Sequence, residues 1–326
     1  MSAHESDGGG RVSRETAVNE GEPVRGERTG GERSGAPGAD RTAAEARVGD
    51  ARGAGSPGAD RGANAGVDVE GLARTLDDAA RTATLTAQLG DRLALADAYR
   101  VQARSIGLRH ARGERRAGYK LGFTSRAKMA QMGLHEVIWG RLTDAMIVAD
   151  GGEAAAERFI HPRVEPEVCF LMGAPLAGTV TPLAAMRALA GVAPALEVID
   201  SRYRDFKFSL ADVVADNCSA AAIVVGPWSD PATVDVANLG LLLEIDGVAA
   251  QIGSSAAILG HPVRSLVAAA RLVAEAGERL EPGDLVMAGG ATEAVALNPG
   301  SRVRLEAERL GSVGFKLGER REAVEA

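Results

Sequence analysis

Two glutamates one residue apart stand inside the apolar run HPRVEPEVCF at 161–170, and a third sits in ALEVID at 195–200. In an extended strand residues i and i+2 face one side, so Glu165 and Glu167 point together while Pro166 faces away and offers no N–H. A carboxylate in such a run is costly to bury unless it is neutralised, paired or bound to a cation. Three of them also repel one another, and desolvation raises their pKa values. A divalent cation removes both penalties, and an all-oxygen ligand set predicts Mg²⁺ or Mn²⁺ with water completing the shell. The alternative is a glutamate pair on the solvent side of an antiparallel sheet. Glu197, flanked by Leu196 and Val198, argues for metal. Pro166 predicts an edge or bulged position for its strand.

Other residues with chemical potential lie around these three. GYKLG sets Lys120 between Gly118 and Gly122, where another backbone or a ligand can approach closely. A lysine placed there suits a proton donor or the partner of a substrate carboxylate; the alternative is a lysine reaching out from a sheet edge. TDAM offers Asp144. The stretch IDSRYRDFKFSLADVVADNCSA is crowded with polar groups, Asp200, Arg202, Arg204, Asp205, Lys207, Asp216 and Asn217, and ion pairs that hold a loop are the expectation for several of them. Ser219 offers a hydroxyl to a substrate carboxylate, and Thr292 follows a Gly–Gly turn at a strand end, where loop residues reach ligands. No pair among the five histidines has zinc-like spacing, and His161 and His261 both precede proline and read as turn residues. Cys169 and Cys218 read as small hydrophobes and make no disulfide framework, which fits a reducing, cytoplasmic setting.

The elements that must carry these residues begin near Val67. Residues 1–66 hold Gly, Ala, Arg, Glu, Ser and Asp but no Leu, Ile, Phe, Tyr or Trp, so the composition predicts a disordered tail. Apolar residues at three- and four-residue spacing predict two amphipathic helices in a helical part over 67–117. From 118 to 326 strand-like runs dominate: AGYKLGFTS, VEPEVCFLM, ALEVID, AAAIVVG, GLLLEIDG, DLVMAG, RVRLEAE and GSVGFKL, the last two joined as a hairpin around Arg309–Gly311. TPLAAMRALAGV and HPVRSLVAAARLVAEAGE read as helices between them. The fold class is therefore α+β, a helical N-terminal part feeding a domain built on a mixed, curled sheet. A net charge of -7 and a pI near 5.4 give no reason to expect nucleic acid or an anionic membrane as partner. No apolar run is long enough to span a bilayer, and the first residues do not read as a secretory signal.

Taken in order, GYKLGFTSRAKMAQMG, WGRLTDAM, HPRVEPEVCF, ALEVIDSRYRDFKF, VVADNCSAAAIVVG, LGHPVRSLVA and GDLVMAGGATEAVALNPGSRV…LGSVGFKL resemble the 2-oxo-3-hexenedioate (4-oxalocrotonate) decarboxylases. These belong with the 2-hydroxypenta-2,4-dienoate hydratases in the fumarylacetoacetate-hydrolase-like superfamily. The likeness runs from about Leu72 to Leu317 and leaves the tail outside. It implies a rolled β domain, Mg²⁺ or Mn²⁺ on Glu165, Glu167 and Glu197, and Lys120 as the acid/base or carboxylate-binding lysine. It places Asp144 among the catalytic residues, and Asp216, Ser219 and Thr292 along the substrate pocket. The implied reaction is decarboxylation of a small 2-oxo dicarboxylate in catechol meta-cleavage, with no organic cofactor. SRYRDFKF and GGATEAV resemble the decarboxylase branch. The alternatives are hydration of the dienoate on the same site, or a non-catalytic assembly partner of such enzymes. A homo-oligomer, in complex with the pathway hydratase, is the implied assembly.

Overall fold

Two sheets and six α-helices make up the fold over residues 66–89, 93–131 and 135–320, the part of the chain that the computed structural model describes. The predicted tail, Gly66 excepted, lies outside the described residues. The helices are α1 (Val69–Thr82), α2 (Leu95–Ala111), α3 (Arg126–Gln131), α4 (Pro182–Arg187), α5 (Leu210–Ala215) and α6 (Val263–Glu275). The strands are β1 (Arg116–Gly122), β2 (Ile138–Thr143), β3 (Ile147–Val148), β4 (Glu153–Ala154), β5 (Arg163–Met172), β6 (Leu189–Ile199), β7 (Ala220–Val225), β8 (Gly240–Ile245), β9 (Val248–Ser254), β10 (Leu285–Met287), β11 (Val295–Ala296), β12 (Arg302–Ala307) and β13 (Gly311–Leu317).

The larger sheet runs β2-β1-β10-β5-β6-β7-β3, with β11 added beside β5. Its two edge strands, β2 and β3, are consecutive in the chain and are joined by the short turn Asp144–Met146. A chain link that short obliges the sheet to curl until its edges meet. The site reports the same curl. Lys120 on β1 forms an ion pair with Glu197 on β6, although β10 and β5 intervene in the sheet. In a flat sheet those strands would lie about 14 Å apart, three interstrand spacings.

Curling gives the sheet an inside and an outside, and both are buried. The inside carries Leu142, Met146, Cys169, Ala195, Ala220, Ile223 and Met287. Outward-facing residues such as Val164, Val168, Leu196 and Val198 join α6 and the second sheet, β4-β13-β12-β8-β9, in the main core. Strands buried on both faces read as nearly continuous apolar runs, which is why the glutamates stand out in VEPEVCFLM and ALEVID. The smaller third core joins α1 and α2 to α5 through Ala73, Leu76, Val101 and Val214. Helix α1 starts at Asp68, whose carboxylate accepts the Gly71 N–H at 2.8 Å.

Three expectations change. The second half of TPLAAMRALAGV is strand, not helix: α4 stops at Arg187, and β6 begins at Leu189 because pairing along the whole of β5 outweighs the helix propensity of the alanines. β2 and β9 were not among the expected strands; β9, VAAQIGS, is a sheet edge and shows little alternation. Pro166 is neither on an edge strand nor in a bulge, since β5 is central and its register with β6 is regular through Pro166↔Leu196. The Pro166 carbonyl accepts from Ala291 N, so its missing N–H faces the gap between β10 and β11, where no ladder bond is demanded.

Gly118 lets β1 pair with β10. Its φ is +145°, and a Cβ there would lie 1.9 Å from the Leu285 carbonyl oxygen. We expect Gly118→Ala to lose about 3 kcal/mol of stability or more, read by denaturant unfolding; an unchanged midpoint would show that β1 tolerates the displacement.

Candidate metal centre and active site

The β5/β6 register places Glu165 directly opposite Glu197, and Glu167 follows two residues on, on the same face. Ligand oxygens of the three lie within 4.8 Å of one another. Glu167 and Glu197 are fully buried, and Glu165 is half-buried toward the mouth. Glu167 Oε2 accepts the Gly289 N–H at 2.8 Å. Glu167 Oε1 and both oxygens of Glu197 form no hydrogen bond among the described residues. Lys120 Nζ lies 3.1 Å from Glu197 Oε2, an ion pair that falls short of hydrogen-bond alignment, and donates to the Cys218 carbonyl at 3.2 Å.

Buried oxygens that lack donors, gathered within a few ångströms, are the donor set a hard divalent cation takes. Burial raises the Glu167 pKa well above the ordinary carboxylate value, and the charges of Glu197 and Glu165 push it further. Burial also raises Glu197, against the opposing pull of Lys120. For Lys120, burial is the largest influence and pulls downward, but the attraction of Glu197 together with Cys218, Glu165 and Glu167 outweighs it and the net shift is upward, so the side chain stays an ammonium. The loop after β10 closes over these groups. Ala288 N bonds to Val168 O and Ala291 N to Pro166 O, which lays Gly289 and Gly290 along the carboxylates. A Cβ on Gly290 would come within 3.0 Å of the Glu165 carboxyl, and Gly289 takes φ +105°. The glycine pair is thus required by close approach as well as by the turn.

The acceptor for Lys120 is held by an unusual turn. Asn217, Cys218 and Ser219 all have left-handed φ, 50°, 52° and 58°, and none is glycine. Each such residue costs roughly 1 kcal/mol, so the turn persists only because its surroundings hold it. Asn217 does much of this: its Oδ1 accepts from Arg141 N at 2.8 Å and its Nδ2 donates to Arg141 O at 2.9 Å, as a paired strand residue would. Gly140 makes room, since a Cβ there would meet the Asn217 carbonyl at 2.7 Å. Gln102 on α2 donates to Trp139 O and Val214 O and ties the helical part to the same turn.

Of the sequence-predicted residues, Glu165, Glu167, Glu197 and Lys120 converge. Ser219 sits in the turn that holds Lys120, and its buried hydroxyl has no hydrogen-bond partner among the described residues. Thr292 lies on the loop over Glu165; its methyl packs toward Gly253 and its hydroxyl donates to Glu293 O. Asp216 is otherwise engaged: its carboxylate accepts from Arg202 N at 3.0 Å and from the Arg202 guanidinium, so it anchors the turn, and burial holds its pKa up at about 6. Asp144 does not join the cluster. It begins the link between the sheet edges, four residues beyond Gly140, the β2 partner of Lys120, and its carboxylate is held by Arg115. Asn217, the Cys218 carbonyl and the Gly289 N–H were not singled out by sequence; the Gly–Gly pair and the ADN triplet were visible, but backbone donors and a left-handed turn have no side-chain pattern. His161 and His261 serve loops as expected, His161 Nε2 on Ser201 O and His261 Nδ1 accepting from Val263 N.

The chain belongs to the family described as fumarylacetoacetate (FAA) hydrolase C-terminal, whose model matches residues 116–317. Within it, the chain is 54% identical over 255 residues to a 4-oxalocrotonate decarboxylase of a Pseudomonas species, covering 77% of this chain and 99% of the relative. It is 39% identical over 186 residues to a 2-hydroxypent-2,4-dienoate hydratase of Pseudomonas putida, covering 56% and 83%. The structure of 4-oxalocrotonate decarboxylase from Pseudomonas putida G7, complexed with magnesium and adipate, superposes with a TM-score of 0.74 at 37% identity over 76% of this chain and 97% of that one.

Two outcomes follow from the buried charge. Glu167→Gln should weaken Mg²⁺ binding at least about 100-fold by calorimetry and yet raise the melting temperature in EDTA, because it removes a buried charge; a lower melting temperature in EDTA would mean the carboxylate is stabilising without metal. The metal-free protein should also lose stability as pH rises. Folded-state values for Glu167 and Glu197 lie above the unfolded value of 4.5, so their contribution is fully present below pH 4.5 and is lost as pH climbs through the folded values. Melting curves in EDTA between pH 5 and 8, repeated with saturating Mg²⁺, should show the slope flatten with metal.

Proposed function

We propose that this chain is a divalent-cation-dependent decarboxylase that converts 2-oxo-3-hexenedioate, also called 4-oxalocrotonate, to 2-hydroxypenta-2,4-dienoate and CO₂ in the meta-cleavage breakdown of catechols. The observation that carries the reading is the triad of carboxylates, two of them fully buried, facing Lys120, in a chain 54% identical to a 4-oxalocrotonate decarboxylase over 99% of that relative. The adipate in the Pseudomonas putida G7 structure is a six-carbon dicarboxylate, the length of the proposed substrate.

The substrate is a vinylogous β-keto acid. Cleavage of the bond between C5 and the distal carboxylate releases CO₂ and sends the electron pair through C4 and C3 to the C2 oxygen. A bound Mg²⁺ or Mn²⁺ supplies positive charge where the C1 carboxylate and the C2 oxygen collect negative charge. Glu165, Glu167 and Glu197 hold that cation, and Gly289 N–H fixes Glu167. Lys120 Nζ, kept as an ammonium by Glu197 and the Cys218 carbonyl, holds a proton for the dienolate oxygen. Leu142, Ile223 and Met287 exclude water from the floor of the roll, which strengthens these charges. Ser219 donates its free hydroxyl to a substrate carboxylate, and Thr292 lines the mouth. Asp144 acts at a distance, as the corner of the roll.

The relatives act on small organic acids, and among the described residues no helix is long and apolar enough to cross a membrane. The reading places the enzyme in the cytoplasm as a homo-oligomer working beside the pathway hydratase. The edge strand β9 supports self-association: it leaves Val248 and Ile252 69% and 80% exposed.

EDTA-treated protein given the substrate should release CO₂ only after Mg²⁺ is restored, and 2-hydroxypenta-2,4-dienoate should appear. Metal-dependent consumption of that dienoate with no CO₂ release would move the assignment to the hydratase. Lys120→Met should bind Mg²⁺ and lose roughly 100-fold or more in kcat; full turnover would remove Lys120 from the chemistry.

A further inference from the structure

A second polar cavity, of about 190 Å³, opens away from the carboxylates, between α1 and α2 on one side and the corner of the roll on the other. Ala145 and Met146 of the corner and Ala220 at the start of β7 form its apolar wall. Five arginines line the rest: Arg81, Arg109, Arg112, Arg158 and Arg202. Three of them are matched. Arg112 donates to both oxygens of Asp77, Arg202 is bound to Asp216, and Arg81 pairs with Asp78.

The cavity's own acids are also engaged. Asp200 accepts the backbone N–H groups of Ile160 and His161, each at 2.8 Å, and Glu114 Oε2 accepts from Thr143 Oγ1 at 2.6 Å. What remains is Arg109. Its side chain is only 12% exposed, and its guanidinium makes no hydrogen bond among the described residues. Its ion pair is a loose 3.6 Å contact with Asp77, whose oxygens Arg112 already holds. Burial, foremost, and the neighbouring charge of Arg202 pull its pKa down, and the carboxylates of Glu114, Asp77 and Asp216 offset this only in part. Arg158, at the rim, spends a donor on Ala145 O and makes no ion pair among the described residues. A largely buried guanidinium that lines a cavity and holds only a loose ion pair keeps its donors for a ligand, and guanidinium forks match carboxylate and phosphate oxygens in pairs.

We infer that this cavity is a second ligand site, for a small oxyanion, in which Arg109 is the main contact and Arg158 closes the rim. Its ligand is a free phosphate or a small carboxylate, held independently of the divalent-cation centre. The site touches the mechanism at one point: Asp216, on which Arg202 rests, precedes the left-handed turn that carries the acceptor for Lys120.

The test is titration of the full-length, EDTA-treated protein with inorganic phosphate and, separately, with acetate, followed by calorimetry and melting temperature. Saturable binding of one of them, with a melting temperature about 3 °C higher at ten times Kd, is the expected result; which one binds identifies the ligand class. Arg109→Met should abolish that binding and, in anion-free buffer, melt no lower than the natural protein, an outcome that a purely structural ion pair with Asp77 would not give. Arg158→Gln, at the rim, should weaken binding about tenfold and leaves the Asp77 contacts alone, so the test survives if Arg109→Met does not fold. Glu167→Gln should bind the anion as the natural protein does. Absence of saturable binding by both anions, equal binding by Arg109→Met, or loss of binding in Glu167→Gln would overturn the inference.

Discussion

Three carboxylates and one ammonium share a buried volume, and the arrangement is short of positive charge by itself. Glu167 and Glu197 are fully buried, and three of their four oxygens form no hydrogen bond among the described residues. Much of the surrounding structure can be understood as the means of tolerating that group. The sheet curls so that Lys120 reaches Glu197 across two intervening strands. The Gly289–Gly290 backbone comes close enough to donate to Glu167 and to pass beside Glu165. The apolar floor below leaves the charges nowhere else to find partners. Such a site is poised to gain a cation because its empty form is strained electrostatically.

The ammonium, in turn, depends on strained backbone. A carbonyl from Cys218 faces Lys120 only because Asn217, Cys218 and Ser219 adopt the left-handed region; the Arg141 backbone holds Asn217, the core shared with α1 and α2 holds Cys218, and Arg202 holds Asp216 just before the turn. The helical N-terminal part therefore contributes to the site without lining it. Gln102 and the small core around Leu76 and Val214 fix the position of a turn that the sheet alone would leave free.

The acidic triad was legible in the sequence because strands buried on both faces have no other reason to contain glutamate, and because the i, i+2 rule fixes which side chains share a face. The register that sets Glu165 opposite Glu197 was not, since pairing partners are a long-range property. Lys120 was visible from its flanking glycines, yet the curl that brings it to Glu197 comes from a link between sheet edges that no local pattern announces. Asp144 belongs to that link; a resemblance in sequence marked the residue, and the geometry gives it a structural duty. Charge density in the stretch around Asp216 announced loop-holding ion pairs without saying which residues make them; Asp216, given a place along the pocket by resemblance, is bonded to Arg202. Pro166 misled in a simple way: a gap in one neighbouring ladder substitutes for an edge.

Joining the sheet's first and last strands by a three-residue turn has an evolutionary consequence. A roll whose edge strands are tied by so short a link has little room to recruit another strand between them, and its wall residues are committed on both faces. New substrates must therefore be accommodated from the two short segments that overhang the charged centre, the glycine loop after β10 and the left-handed turn before β7. Descendants with different chemistries would keep the wall and its acids and diverge at those two lips.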